Sequence, residues 1–396
     1  IVSFAEQGEH QRSKIGQRLS HLRPGWTQKQ SDGFLFAMAD SGSWGSSEQG
    51  MLLLPEKNGL VDRAEGKALR AVDLLQRCQR QGPGAIGSLA APFRFAWRGR
   101  SDACVHAFAD HCGLAALYGW SGQGMACVAT SAALIGALFG LTPDASALVG
   151  VALIGSFVGQ DSIARDVRKL RPSHGFELQA GVLSEVATPA GDLLYGPADG
   201  AAAMANAVRP LLNAFPSADV EVSGGFDSRA IVAAIPRDLR RNLCGFTLGR
   251  DGEPDVEIAR RICAASGMKH RVTVPVALAE LDAEQFENLL ADCAMSFEFG
   301  SNPLSSAIIK LVGTQNASEA RFSGQNGEIL RGFYYAAQPL GASGGRRLAE
   351  ALVEMRVFGN DLADPKIFHP DPYRDYRATV RRRLVDQLLD YGSPWS

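Results

Sequence analysis

The chain has 396 residues, 46% of them apolar and 21% charged, with a formal net charge of −2. This is the composition of a folded chain, too long for one ordinary core, and the near-neutral charge argues against a dedicated nucleic-acid binder. Seven scattered cysteines with no C-x-x-C among them argue against a disulfide framework and a zinc site, and suggest a reducing, cytoplasmic setting. No apolar run reaches membrane-spanning length. Residues 132–158 come nearest, and Thr142, Pro143, Asp144 and Ser146 interrupt them. No signal peptide is visible. A start at Ile1 without Met, and an abrupt stop after Tyr391-Gly392-Ser393-Pro394-Trp395, lead us to expect a piece of a longer chain.

Residues 1 to about 190 carry short alternating segments between Gly, Ser and Asp. Strands are predicted at 34–38, 93–97, 105–109 and 125–129, and helices at 63–79 and 144–157. The pattern predicts a layered α+β domain with mainly antiparallel strands. The stretch Thr188 to Gly200, rich in Pro, Gly and Asp, marks the expected boundary. From residue 200 to 396, strands at 219–222, 243–248, 270–274 and 320–322 alternate with helices at 200–214, 228–235, 255–266, 281–295 and 303–313. That order predicts a parallel sheet with helices on both faces. The run Arg381-Arg382-Arg383 is read as a solvated helix face, and Asn316-Ala317-Ser318 as a chance glycosylation pattern.

The most informative stretch is Val222-Ser223-Gly224-Gly225-Phe226-Asp227-Ser228. It lies between a predicted strand and a predicted helix, and ligands of open α/β sheets bind beyond the carboxyl ends of the strands. Two glycines permit a tight turn and close approach of a ligand, the helix start offers unpaired N–H groups, and Ser223 and Ser228 add hydroxyls. The expected occupant is a phosphate. The Lys of G-x-x-x-x-G-K-[ST] is missing, so this is no Walker loop. Asp227 would repel phosphate by itself, and Mg²⁺ would remove the conflict by taking carboxylate and phosphate oxygens together. A glycine-rich turn capping a helix without any ligand is the plain alternative.

The loop resembles the S-G-G-x-D-S pyrophosphate loop of the ATP pyrophosphatase superfamily, and within it the chain resembles the asparagine synthetase family. Four further stretches carry the likeness. Phe246-Thr247-Leu248-Gly249, with Pro254-Asp255, Ala259, Ala264, Gly267 and His270, is similar to the family's second strand and helix. Ser323-Gly324-Gln325-Asn326-Gly327-Glu328-Ile329-Leu330-Arg331-Gly332-Phe333-Tyr334 resembles S-G-E-G-x-D-E-x-x-G-G-Y. Asp110 to Tyr118 resembles D-x-x-G-x-x-P-L-Y of the amidotransferase half, and Ser162 to Gly175 the stretch before the linker. The resemblance implies an N-terminal sandwich of the Ntn-hydrolase, glutaminase-like kind and a C-terminal ATP pyrophosphatase domain. It implies ATP and Mg²⁺ as cofactors. Backbone at Leu248 would contact adenine, Val222, Ser223, Gly224, Gly225, Asp227, Ser228, Ser323 and Gly324 would hold ATP and its pyrophosphate, and Asp227 with Glu328 would hold the metal. Gln325, Glu328 and Tyr334 would face the substrate.

The departures are as informative. A class II glutaminase needs a Cys at its mature N-terminus, and none occurs before Cys78. The family's R-G-P-D is reduced to Arg23-Pro24-Gly25, and no N-G-E-I segment is present. The first half is therefore expected to keep the fold without glutaminase activity. Gln325 replaces an acid and cannot act as a base at neutral pH. It either bonds a substrate or is only a loop residue. Tyr334 either lines an acceptor pocket or packs against a helix, and Arg331 meets a phosphate or ends a helix. His270 is read as a structural histidine. Lys366 does not match the family's late lysine.

The implied function is ATP-dependent amide formation through an acyl-adenylate, joining a carboxylate substrate, small or peptidic, to an amine donor. One alternative is a macrolactam-forming (lasso-peptide) cyclase or another specialised amide synthetase, with a precursor peptide or a partner biosynthetic enzyme. Another is a scaffold without catalysis. No nucleic acid or membrane is expected as a partner.

Overall fold

A computed structural model describes residues 1–5, 9–39, 41–48, 50–55, 60–100, 102–188, 200–274, 280–315, 318, 320–327, 345–360 and 370–390. The chain divides into two packing units, one of Ile1–Pro143 with Ala164–Pro216, the other of Asp144–Ile163 with Ser217–Ser396. Helix Gly200–Ala214, expected to open the second domain, falls in the first unit, where it packs on the strands Leu60–Asp62 and Lys67–Leu69. Asp144–Ile163, expected in the first domain, falls in the second unit.

The first unit is built on two six-stranded antiparallel sheets. One has the order 168–169, 118–122, 125–129, 2–4, 34–38, 27–31, and the other 182–187, 174–179, 105–109, 94–99, 50–54, 43–47. Their apolar faces share one core, in which Phe34, Phe36, Ala126 and Val128 of the first meet Leu53, Val105, Ala107 and Leu178 of the second. The second sheet buries its other face as well, with Leu52, Leu54, Phe95 and Phe108 against Leu74, Leu75 and Cys78 of helix Ala71–Gln81. This double burial explains why strands of this sheet such as Gly50–Leu54 and Val105–Ala109 read as nearly continuous apolar runs rather than clean alternation.

The helix predicted at 63–79 begins instead at Ala71. Before it, Leu60–Asp62 and Lys67–Leu69 form a two-stranded ladder. The Asp62 carboxylate accepts from the N–H groups of Ala64 and Glu65 at 2.7 and 3.1 Å, and Gly66 sits at φ +61°. Both features hold a turn that a helix cannot pass through. The helix then starts after Arg70, whose backbone N–H and guanidinium Nε both donate to the Asp73 carboxylate, at 3.3 and 2.9 Å. The Asp110 motif also has a structural explanation. Asp110 is buried, and its carboxylate accepts from Cys112, Leu114 and Ala115 N–H groups at 3.1, 3.1 and 2.8 Å. His111 and Cys112 therefore lie in a turn and not on a strand.

The second unit contains a four-stranded parallel sheet in the order Lys269–Thr273, Cys244–Leu248, Asp219–Glu221, Arg321–Phe322. Helices Phe226–Ala234, Pro254–Ser266, Ala283–Ser296 and Pro303–Gln315 alternate with its strands, close to the predicted bounds. Helix Ala145–Ile154, capped by Asp144, packs with helices Gly345–Arg356 and Pro370–Asp390 through Leu153, Val353, Val380 and Val385. The arginine run lies on the last of these and is not a wholly solvated face. Arg381 Nε bonds Glu354 at 2.5 Å, and the Arg383 guanidinium forks onto both Asp161 oxygens at 2.7 and 2.6 Å. Arg382 is exposed. All seven cysteines are free thiols. No helix among the described residues is long and apolar enough to cross a membrane.

Candidate functional site

Strand Asp219–Glu221 is an interior strand of the parallel sheet, and Val220 and Val222 are wholly buried. Val222 N–H bonds Phe246 O at 2.9 Å, and the Thr247 hydroxyl donates to Val222 O at 2.6 Å. That hydroxyl has one proton, so His270 Nε2, 2.9 Å away, donates to it. Burial, and next the Arg260 charge, hold the His270 pKa below its ordinary value, with Asp251 and Glu257 opposing. His270 is thus a structural histidine that braces the root of the loop. Val222, predicted to touch ATP, is part of this brace and does not line the cleft.

The chain then turns through Ser223-Gly224-Gly225 into helix Phe226–Ala234, which starts two residues before the predicted bound. Its N-cap, Gly225, provides no side-chain cap, so the first turn is open to an outside acceptor. The loop itself is internally bonded. Ser223 N–H donates to Ser228 Oγ at 3.1 Å, the two serine hydroxyls are 3.1 Å apart, and Gly225 N–H donates to Ser223 Oγ at 3.1 Å. Ser228 Oγ lies 3.2 Å from the carbonyls of both Ser223 and Gly225. Ser228 is buried, so its hydroxyl pins the loop shut rather than reaching outward. Gly224 N–H is held by Asp255 Oδ1 at 3.2 Å, a role for Asp255 that the sequence motif placed nearby but did not assign.

The second motif meets the first. Beyond strand Arg321–Phe322, residues 323–327 form a tight turn, with Gln325 N–H on Ser323 Oγ at 3.1 Å, Gly327 N–H on Gly324 O at 3.1 Å, and Asn326 at φ +66°. The turn lies against the first turn of helix Phe226–Ala234. A Cβ on Gly324 would stand 2.6 Å from Ser228 N, and one on Gly327 would stand 2.5 Å from Asp227 Cγ. Only glycine allows this approach. Together the two loops enclose a cleft of about 320 Å³, lined by Glu221, Ser223, Gly225, Asp227, Ser228, Leu248, Arg321, Ser323, Gly324 and Gln325. That size suits a small ligand. Eight predicted residues, far apart in the chain from Ser223 to Gln325, are thereby brought together. Gly224 lies behind the lining. Glu328 and Tyr334 lie outside the described residues, as do Arg331 and Lys366. Among the described residues no group of three or more His, Cys, Asp or Glu side chains could hold a metal.

Two lining residues were not anticipated, Glu221 and Arg321. They sit on adjacent parallel strands, and both side chains share the face of Phe246, whose ring Arg321 and Arg271 flank at 5.8 and 5.9 Å. Their signal was visible only as charged residues beside the buried apolar positions of short strands.

Residues 200–300 match the model of the family described as asparagine synthase. The match spans the loop and Leu248 and stops short of the Ser323 turn, so the contact between the two loops is independent of it. No curated protein matches the sequence. A solved structure described as the allosteric regulatory enzyme of purine biosynthesis is 12% identical, covering 74% of this chain and 73% of its own, with a TM-score of 0.26. A likeness at that score carries no argument about this chain.

Proposed function

We propose that the protein is an ATP-dependent amide synthetase that forms AMP and pyrophosphate through an acyl-adenylate. The observation that carries this reading is the packing of the Ser323–Gly327 turn onto the start of helix Phe226–Ala234. It makes one cleft from two separate motifs at the carboxyl edge of a parallel sheet. In this reading the open first turn of the helix and the Ser223–Ser228 loop receive the phosphates, and the carboxylate substrate attacks the α-phosphate from the Gln325 side. On the same reading Asp227, half-buried in the first turn and lining the cleft, would hold Mg²⁺, with Glu328 as its expected partner. Bound there, the ion would neutralise charge building up on the departing pyrophosphate. In this reading the hydrogen bonds that close the loop on itself are exchanged for bonds to phosphate, so binding rearranges Ser223 and Gly225.

The first unit is read as a glutaminase-like sandwich without glutaminase activity, so the amine is free ammonia, a small amine, or an amine of the substrate itself. The last of these, a cyclase or specialised amide synthetase acting on one larger substrate, gains support from Gln325. It is exposed at the cleft where the family carries an acid, and it offers hydrogen bonds without a base. A precursor peptide or partner enzyme in the cytoplasm belongs to that second reading.

ATP–pyrophosphate exchange with Mg²⁺, with and without aspartate and then with peptide carboxylates, tests the proposal. Exchange dependent on a carboxylate supports it, and the carboxylate that works separates the two readings. Absence of exchange with every carboxylate tried would leave a scaffold as the better account.

A further inference from the structure

We propose that Glu221 reads the sugar of the bound nucleotide, its carboxylate accepting hydrogen bonds from the 2′- and 3′-hydroxyls of ribose. This deepens the nucleotide reading above and rests on it. A carboxylate on the floor of a phosphate cleft repels the phosphates unless it meets hydrogen-bond donors. Asp219, two residues earlier on the same face, is already satisfied by Arg271 Nη2 at 2.7 Å and Ser318 Oγ at 2.8 Å, and is buried. Glu221 is half-buried in the cleft and has no hydrogen-bond or ion-pair partner among the described residues.

Its position selects the donor. Among the described cleft-lining residues Leu248 supplies the one apolar side chain, and so a surface on which the flat face of a base can pack. Leu248 lies on the adjacent strand, two residues beyond Phe246, which pairs with Glu221, so Leu248 and Glu221 share a face. Ser223, which opens the phosphate loop, follows Glu221 by two residues in the chain. The carboxylate therefore stands between the wall for the base and the loop for the phosphates. A vicinal diol offers two donors to its two acceptor oxygens, and acidic side chains are a recurrent partner of ribose hydroxyls.

The test is equilibrium binding of the non-hydrolysable α,β-methylene ATP and of its 2′-deoxy and 3′-deoxy forms, with Mg²⁺, to the full chain and to Glu221→Gln and Glu221→Ala. Inorganic pyrophosphate serves as the reference ligand. The unaltered protein should bind the ribonucleotide about tenfold or more tightly than either deoxy form, the scale of one hydrogen bond to a charged group. Glu221→Ala should lose this discrimination, Glu221→Gln should keep part of it, and pyrophosphate affinity should not fall in either. Equal binding of ribo and deoxy forms by the unaltered protein would overturn the assignment while leaving the nucleotide reading in place. So would discrimination that persists in Glu221→Ala, which would point to Glu221 meeting a different donor, such as a substrate ammonium. Failure of every nucleotide to bind would sink the underlying reading, and this inference with it.

Discussion

Gly324→Ala probes the contact on which the site depends. The added Cβ would lie 2.6 Å from Ser228 N, 2.8 Å from Asp227 C and 3.1 Å from Asp227 Cβ. Two of these three atoms are backbone, so no side chain can swing aside. To reach ordinary contact the turn must move away from the helix start by about 0.8 Å. Overpacking of this kind costs about 1–3 kcal/mol, a fall of several degrees in the melting temperature of a unit this size. It also shifts Ser323 and Gln325, which form one wall of the cleft, so affinity for ATP measured by calorimetry should fall by at least about tenfold. Gly267→Ala is the control. Gly267 ends helix Pro254–Ser266 at φ +71°, and a Cβ there would meet nothing within 4 Å. It should cost about 1 kcal/mol from left-handed backbone alone and leave ATP binding unchanged. If Gly324→Ala melts and binds ATP like the unaltered protein, the two loops do not pack against each other in this way.

The other predictions address single groups. Ser228→Ala removes the hydroxyl that accepts from Ser223 N–H, and should lower stability by about 1–3 kcal/mol in denaturant titration. Asp227→Asn should keep the circular dichroism spectrum and abolish pyrophosphate release, and near-normal turnover would refute the metal role. Asp110→Ala leaves three N–H groups without their acceptor and should cost about 3 kcal/mol or more, with ATP affinity unaltered. His270 and His111 both have pKa values held below the ordinary 6.5, mainly by burial. The unfolded chain therefore binds these protons first as pH falls. Stability should drop from pH 6.5 down to the lowered folded-state values, with no further loss from these two groups below them. Chemical denaturation between pH 5 and 8 checks the sign. Stability that rises on acidification through this window would contradict both assignments.

The parallel-sheet unit was legible because its signals are local and agree with one another. Val220 and Val222 mark a buried strand, Gly224 and Gly225 a tight turn, and Asp227 the first turn of a helix, and the structure places all of them within two residues of expectation. The first unit was less legible. Strands such as Thr27–Ser31 and Ser43–Ser47 are polar and short, and they are strands because their neighbours Phe34–Met38 and Gly50–Leu54 need partners for their backbone groups. Nothing in the window itself carries that information. The same limit explains the misplaced helix start before Ala71, where the Asp62 carboxylate, which turns the backbone back, belongs to a strand several residues earlier. At the cleft, sequence identified the residues that form the two loops but not how they are used. Ser223 and Ser228 read as outward donors, and in the folded chain they satisfy each other. Glu221 lay in a predicted strand without an assigned role, and the register with Phe246 is what sets it on the cleft side of the sheet. A motif fixes which atoms are near the chemistry. Whether each atom faces the ligand or the protein depends on pairings set across the sheet, and these are not encoded in the spacing of the motif.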